Sequence, residues 1–242
     1  MDVKVGSGAF MKTVGRAEEL AQSLIGTAAA AGLKTHALIT DMNEVLGTTA
    51  GNAVEIVESV RYLRNEHREA RLDEVVLELC AEMLLLGGLE ADRGAAKARA
   101  DRAVSSGAAA ESFGRMVSAL GGPAGFVGDY HKHLPKAAVS QPVLTGRDGY
   151  LAEVDAFAVG NAIIALGGGR RKLDDKLDLS VGFTDVVPIG TQLDRDTPLA
   201  IVHAGSTEAA EHAAGLLRKA CRIDGAKPAT RPVVYKVLNS SL

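Results

Sequence analysis

Histidine, lysine, arginine and cysteine supply most of the chemistry-bearing side chains, and few of them converge along the chain. His131 and His133 flank Lys132 at a spacing that could chelate a metal, yet they adjoin Pro135 in a polar stretch that reads as a loop. Arg170 and Arg171 follow Gly167-Gly168-Gly169, an arrangement open to an anion clamp or to a helix end whose cations complement the carbonyl dipole. Lys4 stands between Val3 and Val5, so it either faces a cleft at a sheet edge or snorkels at the sheet end. Cys80 and Cys221 lie far apart, each inside an apolar helical pattern, and read as buried free thiols rather than a disulfide or metal pair. His203 follows a strand and reads as structural. No glycine-rich loop is followed by the Lys and Ser or Thr that would cradle phosphate.

The elements that carry these residues fall into two textures. Met1 to Val5 predicts a strand, followed by the small-residue turn Gly6-Ser7-Gly8-Ala9. From Ala17, Leu20, Ala21, Leu24, Ile25 and Ala28 repeat at helical spacing up to Gly32, and Thr35 to Thr40 reads as a buried strand. Strand, helix, strand in that order predicts a crossover in a parallel sheet. Asn52 is a capping residue type for a helix carrying Val54, Val57 and Val60. A second stripe runs Leu72, Val75, Val76, Leu79, Cys80, Met83 and Leu86. Further helices are expected over Ala95 to Val104 and over Ala109 to Leu120, the latter with Phe113, Met116, Val117 and Leu120 inward and ended by Gly121-Gly122-Pro123.

Between Leu134 and Gln141 the texture changes to short alternating runs with Gly and Pro, which predicts two domains, 1–136 and 137–242. In the second, Asp155 can cap a helix through Leu166, and Ser206 or Thr207 one carrying Ala210, Ala213, Ala214, Leu217 and Cys221. Leu179 to His203 reads as successive strands.

Charge and hydropathy exclude several function classes. Lys+Arg 27 against Asp+Glu 30 gives a net charge of -3, no basic field for a nucleic-acid backbone. The apolar run Val75 to Leu86 is broken by Glu78 and Glu82, so no stretch is suited to span a bilayer. The N-terminus shows no export or import signal, so the expected location is the cytoplasm.

Four ordered blocks carry a family resemblance over essentially the whole chain. Asp2-Val3-Lys4-Val5-Gly6-Ser7-Gly8-Ala9-Phe10-Met11 is similar to the strand and glycine turn of thymidine and pyrimidine-nucleoside phosphorylases. Thr40-Asp41-Met42-Asn43-Glu44-Val45-Leu46-Gly47, running into Ala50 to Glu55, resembles the family's most distinctive loop-to-helix element. Phe113 to Val117 follows the same style, and Ala165 to Arg171 with Val181 to Asp185 resembles the core of the family's C-terminal domain. Met42 to Leu46 is closer to the thymidine-specific branch than to the broad pyrimidine-nucleoside phosphorylases.

The resemblance implies a parallel-sheet α/β domain followed by a small α+β C-terminal domain with a lipoyl- or biotinyl-like β fold. The implied reaction converts thymidine and phosphate to thymine and 2-deoxyribose 1-phosphate, with a pyrimidine deoxynucleoside and phosphate as partners and no organic cofactor. Phe10 matches a position lining the pyrimidine pocket, with core packing after the turn as the alternative. Leu46, Thr49 and Glu58 match half of a monovalent-cation (potassium) site, two through carbonyls and one through its carboxylate; the alternative makes Glu58 an ordinary solvated helix residue. In the family, Met1 matches a methionine inside a continuous strand, and the phosphate loop and base-binding Arg, Ser and Lys lie N-terminal to it. The chain is therefore expected to be a truncated α/β domain plus a complete C-terminal domain, inactive alone, or else a non-catalytic remnant or structural subunit. The family is homodimeric largely through its N-terminal helices, which leaves this chain's oligomeric state open.

Overall fold

A computed structural model describes residues 1–239. Strand β1 (Asp2–Val5), helix α1 (Val14–Ala30) and strand β2 (His36–Asp41) form the expected unit, with β1 and β2 paired in parallel from Asp2 opposite Leu38 to Val5 opposite Asp41. Val3, Val5, Ala37 and Ile39 bury against Ala17 and Ala21 of α1, whose small side chains let the helix lie close to the sheet. Leu24, expected in that stripe, is 39% exposed. The sheet is mixed rather than parallel. Its third strand, β10 (Val234–Asn239), comes from the far end of the chain and runs antiparallel along β2.

Five helices follow: α2 (Ala53–Leu63), α3 (Ala70–Leu86), α4 (Arg93–Ser105), α5 (Ala108–Ala119) and α6 (Phe126–His133). Their buried faces depart from the apolar stripes. In α3 the buried residues are Val75, Ala81 and Glu82, while Met83 is 63% exposed. Glu82 tolerates burial because its carboxylate meets His36 Nδ1 at 2.6 Å and an Arg93 guanidinium nitrogen at 3.0 Å. In α5 only Ala110 is buried, and Met116 and Leu120 of the expected stripe are exposed. Helix α6 was expected as a loop. It forms with Phe126 inward, and His133 packs its ring 6.1 Å from that of Phe126.

The remainder builds a larger core. Strands β3 (Ala50–Gly51), β6 (Gly182–Thr184), β8 (Pro198–Ala204) and β4 (Val139–Leu144) make one antiparallel sheet in that order. Strands β7 (Gln192–Leu193), β5 (Gly149–Val154) and β9 (Cys221–Asp224) make a second. Helices α7 (Ala156–Leu166) and α8 (Thr207–Ala220) are capped by Asp155, accepting from Ala158 N at 3.0 Å, and by Ser206, accepting from Ala209 N at 3.1 Å. Phe183, Leu151, Leu199, Leu217, Val143, Val181 and Val202 are its fully buried large side chains. Cys221, read as helical, is instead the first residue of β9, because α8 ends at Ala220.

The two parts are joined by backbone. Strand β3, from the N-terminal part, pairs with β6 through Ala50–Phe183 and Gly51–Gly182. A Cβ on Gly182 would lie 2.5 Å from the Ala50 carbonyl oxygen, and one on Gly51 2.7 Å from that of Val181, so only glycines allow this approach. Asn52, expected as the α2 cap, makes no cap hydrogen bond; its Nδ2 crosses to the Gly168 carbonyl at 2.8 Å.

Candidate active site

Because β1 and β2 are parallel and adjacent, both of the turns that follow them leave the same sheet edge, where α/β folds build their sites. The turns interlock. Met42 N donates to the Val5 carbonyl at 2.7 Å, Gly8 N to the Met42 carbonyl at 2.9 Å, and Ser7 N to Asn43 Oδ1 at 3.1 Å. Ser7 Oγ donates to the Val154 carbonyl at 2.9 Å and accepts from Ala156 N at 3.1 Å, which fastens the glycine turn to α7. Phe10 projects from this turn and is 100% exposed, so packing in the core does not account for it.

Behind the turns lies a buried polar hub centred on Asp41, the last residue of β2. Asp41 accepts from Asn43 Nδ2 at 2.6 Å, from an Arg71 guanidinium nitrogen at 3.0 Å and from Tyr235 Oη at 3.1 Å. The other guanidinium arm of Arg71 meets Glu44 Oε1 at 3.1 Å, and Glu44 Oε2 accepts from Ile189 N at 2.7 Å. Burial raises the Glu44 pKa above its ordinary carboxylate value; the Ile189 N–H and Arg71 offset this only in part. Burial likewise raises the Tyr235 phenol, with the Asp41 carboxylate acting in the same direction.

The loop continues to Leu46, Gly47, Thr48 and Thr49, and closes on Glu58 of α2. Glu58 Oε1 accepts from Thr48 N at 2.6 Å and Thr48 Oγ1 at 2.7 Å, and Oε2 accepts from Thr49 Oγ1 at 2.6 Å. Glu58 is therefore a loop anchor, not an ordinary solvated carboxylate. The fit is close: a Cβ on Gly47 would sit 2.5 Å from Oε2. The Thr48 carbonyl is committed to Val186 N at 2.9 Å, and the carbonyls of Leu46 and Thr49 flank it in the chain. A cleft of about 480 Å³ opens beside Glu58, with His67, His131, Lys136, Asp185 and His203 among its lining side chains.

The other candidates separate. Lys4 Nζ is held by Asp2 Oδ2 at 2.5 Å and Thr40 Oγ1 at 3.3 Å, so it is committed on the sheet face. Arg170 and Arg171 lie beyond Gly167, which ends α7 in a left-handed conformation, so the last turn of that helix holds no basic residue to meet its dipole. His131 and His133 are two apart on a helix, a spacing that turns their side chains away from each other. Among the described residues no cluster of three or more His, Cys, Asp or Glu is arranged to hold a metal. His203 Nε2 lies 2.9 Å from Thr184 Oγ1, and burial lowers its pKa despite the opposing charge of Asp185. Arg71, Ser7 and Tyr235 were not singled out from sequence; each works through side-chain partners at least 27 residues away.

Comparison with protein families agrees with this architecture. Residues 1–110 match the glycosyl transferase family a/b domain, and residues 150–224 match the pyrimidine nucleoside phosphorylase C-terminal domain. Among the described residues no helix is long and apolar enough to cross a membrane.

Proposed function

We propose that this chain, whose matches over residues 1–110 and 150–224 indicate a pyrimidine-nucleoside phosphorylase-type glycosyltransferase, serves thymidine phosphorolysis. In that reaction a phosphate oxygen attacks the anomeric carbon, the bond from that carbon to pyrimidine N1 breaks, and the electron pair leaves with the base, which takes up a proton. The products are thymine and 2-deoxyribose 1-phosphate. The chain's contribution is to the nucleoside end. Phe10, fully exposed on a turn that is hydrogen-bonded on both sides, offers a free flat ring to cover a pyrimidine. The branch with thymidine preference is the reading of Met42 to Leu46; comparing thymidine with uridine in one assay tests it.

The observation that carries the division of labour is the state of the glycine turn's N–H groups. Gly6 N donates to the Met11 carbonyl, Ser7 N to Asn43 Oδ1, Gly8 N to the Met42 carbonyl and Ala9 N to the Gly6 carbonyl. All four donors are spent within the protein, so this turn does not cradle phosphate. The 242 residues are accordingly expected to release little or no thymine from thymidine and phosphate. Thymine release by the purified chain at an ordinary enzymatic rate, roughly 1–1000 per second, would show that the phosphate site is present after all. The same spent donors favour a second reading, a non-catalytic structural subunit; recovery of activity on adding a polypeptide that carries a phosphate loop would decide against it.

Leu46, Thr49 and Glu58 are proposed as half of a monovalent-cation site. Oxygen donors suit a hard ion such as potassium. A carboxylate oxygen offers about two lone-pair positions; Oε1 of Glu58 already accepts two hydrogen bonds and Oε2 one, so Oε2 is the oxygen left for a cation. Thermal unfolding in potassium against a bulky organic cation at equal ionic strength tests the site. No difference would remove it. A lipoyl- or biotinyl-like β fold for the C-terminal domain is supported by its two small antiparallel sheets.

A further inference from the structure

We infer that Arg71 is a positioning residue for the nucleoside end of the site, acting through Asp41 and Glu44 on the glycine turn that presents Phe10. The inference rests on the reading of Phe10 given above. Arg71, the second residue of α3, is largely buried, with its side chain 15% exposed, and its two terminal nitrogens reach two different carboxylates. Those carboxylates bracket a four-residue reversal. Asp41 ends β2, Glu44 stands three residues on, and Met42 and Asn43 between them are the residues that grip the glycine turn. Pulling both carboxylates toward one guanidinium therefore fixes where Met42 and Asn43 meet Gly8 and Ser7.

Charge makes the arrangement depend on arginine. The Asp41 side chain is 1% exposed and that of Glu44 is 9% exposed, so without the guanidinium two nearly buried carboxylates would face each other. Such a pair separates or takes up a proton, and either response opens the reversal. Lysine supplies one compact ammonium and cannot span both acceptors in the planar geometry of a fork. The hub also reaches the C-terminal domain and β10, since Ile189 N binds Glu44 and Tyr235 Oη binds Asp41. Through Asp41 and Glu44 the hub thus links the turn to Arg71 of α3, to Ile189 and to Tyr235 of β10.

Amide hydrogen exchange on the full chain tests this, comparing the parent with Arg71→Lys and with the milder Tyr235→Phe, which removes one of Asp41's partners. The Ser7, Gly8 and Ile189 amides should exchange about tenfold faster or more in Arg71→Lys and by a smaller factor in Tyr235→Phe, with β8 and α8 unchanged. Unchanged protection at Ser7 and Gly8, or a uniform rise that includes β8 and α8, would overturn the assignment. A thymidine-binding cycle supplies the readout that general destabilisation would not move. If Arg71 acts through Phe10, Arg71→Lys with Phe10→Ala binds thymidine no more weakly than Phe10→Ala alone, whereas additive losses refute that route. Absence of thymidine binding by the parent chain counts against the Phe10 reading and with it the proposed consequence for substrate; the exchange result then decides the clamp.

Discussion

Replacing Glu58 with alanine deletes the acceptor of three hydrogen bonds, at 2.6, 2.7 and 2.6 Å, that close the loop before β3. A hydrogen bond to a charged acceptor is worth about 1.5–3 kcal/mol. The loop is half-buried, so the freed Thr48 and Thr49 donors regain water, and the expected net loss is about 2–4 kcal/mol. At about 2–4 °C per kcal/mol for a chain of this size, the unfolding midpoint should fall by roughly 4–16 °C. Thermal unfolding followed by far-ultraviolet circular dichroism reads the shift. Glu58→Gln, which keeps one oxygen acceptor, should fall between parent and alanine variant. Gly47→Ala should act through the same contact, since its Cβ would force the carboxylate out of a gap of 2.5–2.7 Å. On the Glu58→Ala background the added methyl should therefore cost little. A loss under about 0.5 kcal/mol for Glu58→Ala is the size of an ordinary surface change. That result would refute the anchoring role.

Gly182→Ala should destabilise by roughly 1–3 kcal/mol or more, seen as a lower urea midpoint, because the new methyl meets the Ala50 carbonyl oxygen at 2.5 Å. Cys221 should alkylate about a hundredfold more slowly at pH 8 than an unperturbed thiol, as burial pushes its pKa from 9.0 to about 11; iodoacetamide labelling followed by mass spectrometry checks it. Glu44 has a raised pKa in the fold, so its contribution to stability is fully present below the ordinary value of 4.5 and is lost as pH rises through the folded value. Glu44→Gln should thus compare worst with the parent in acid and gain on it toward neutrality. The opposite slope in paired denaturation curves would contradict this.

Local chemistry was the legible part. Asp155 and Ser206 cap helices as their types and positions predict, because a cap is settled within four residues. The pairing of β1 with β2 follows from a short apolar strand, a helix and a second apolar strand. Helix faces were read less well where polar groups compete for the interior. The apolar stripe of α3 gives no sign that Glu82 is buried, since its partners His36 and Arg93 lie on other elements. Strand β10 carries Val234, Tyr235 and Val237, a β-rich run, but its place along β2 depends on contacts between residues almost two hundred apart. The hub has the same character: nothing near Asp41 indicates that Arg71 and Tyr235 will meet there.

The position of β10 governs when the sheet can be completed during synthesis. Its residues pair with β2 across a separation of almost two hundred residues, as between Thr40 and Val234. A ribosome delivers β1, α1 and β2 almost two hundred residues before the strand that borders β2. Until then β2 has an open edge available to other extended chains. Closing so long a loop makes this docking a late, slow event, and Tyr235 brings its hydroxyl to Asp41 only then. Deletion of residues 234–239 should therefore leave a nascent-like state with an unpaired β2 edge.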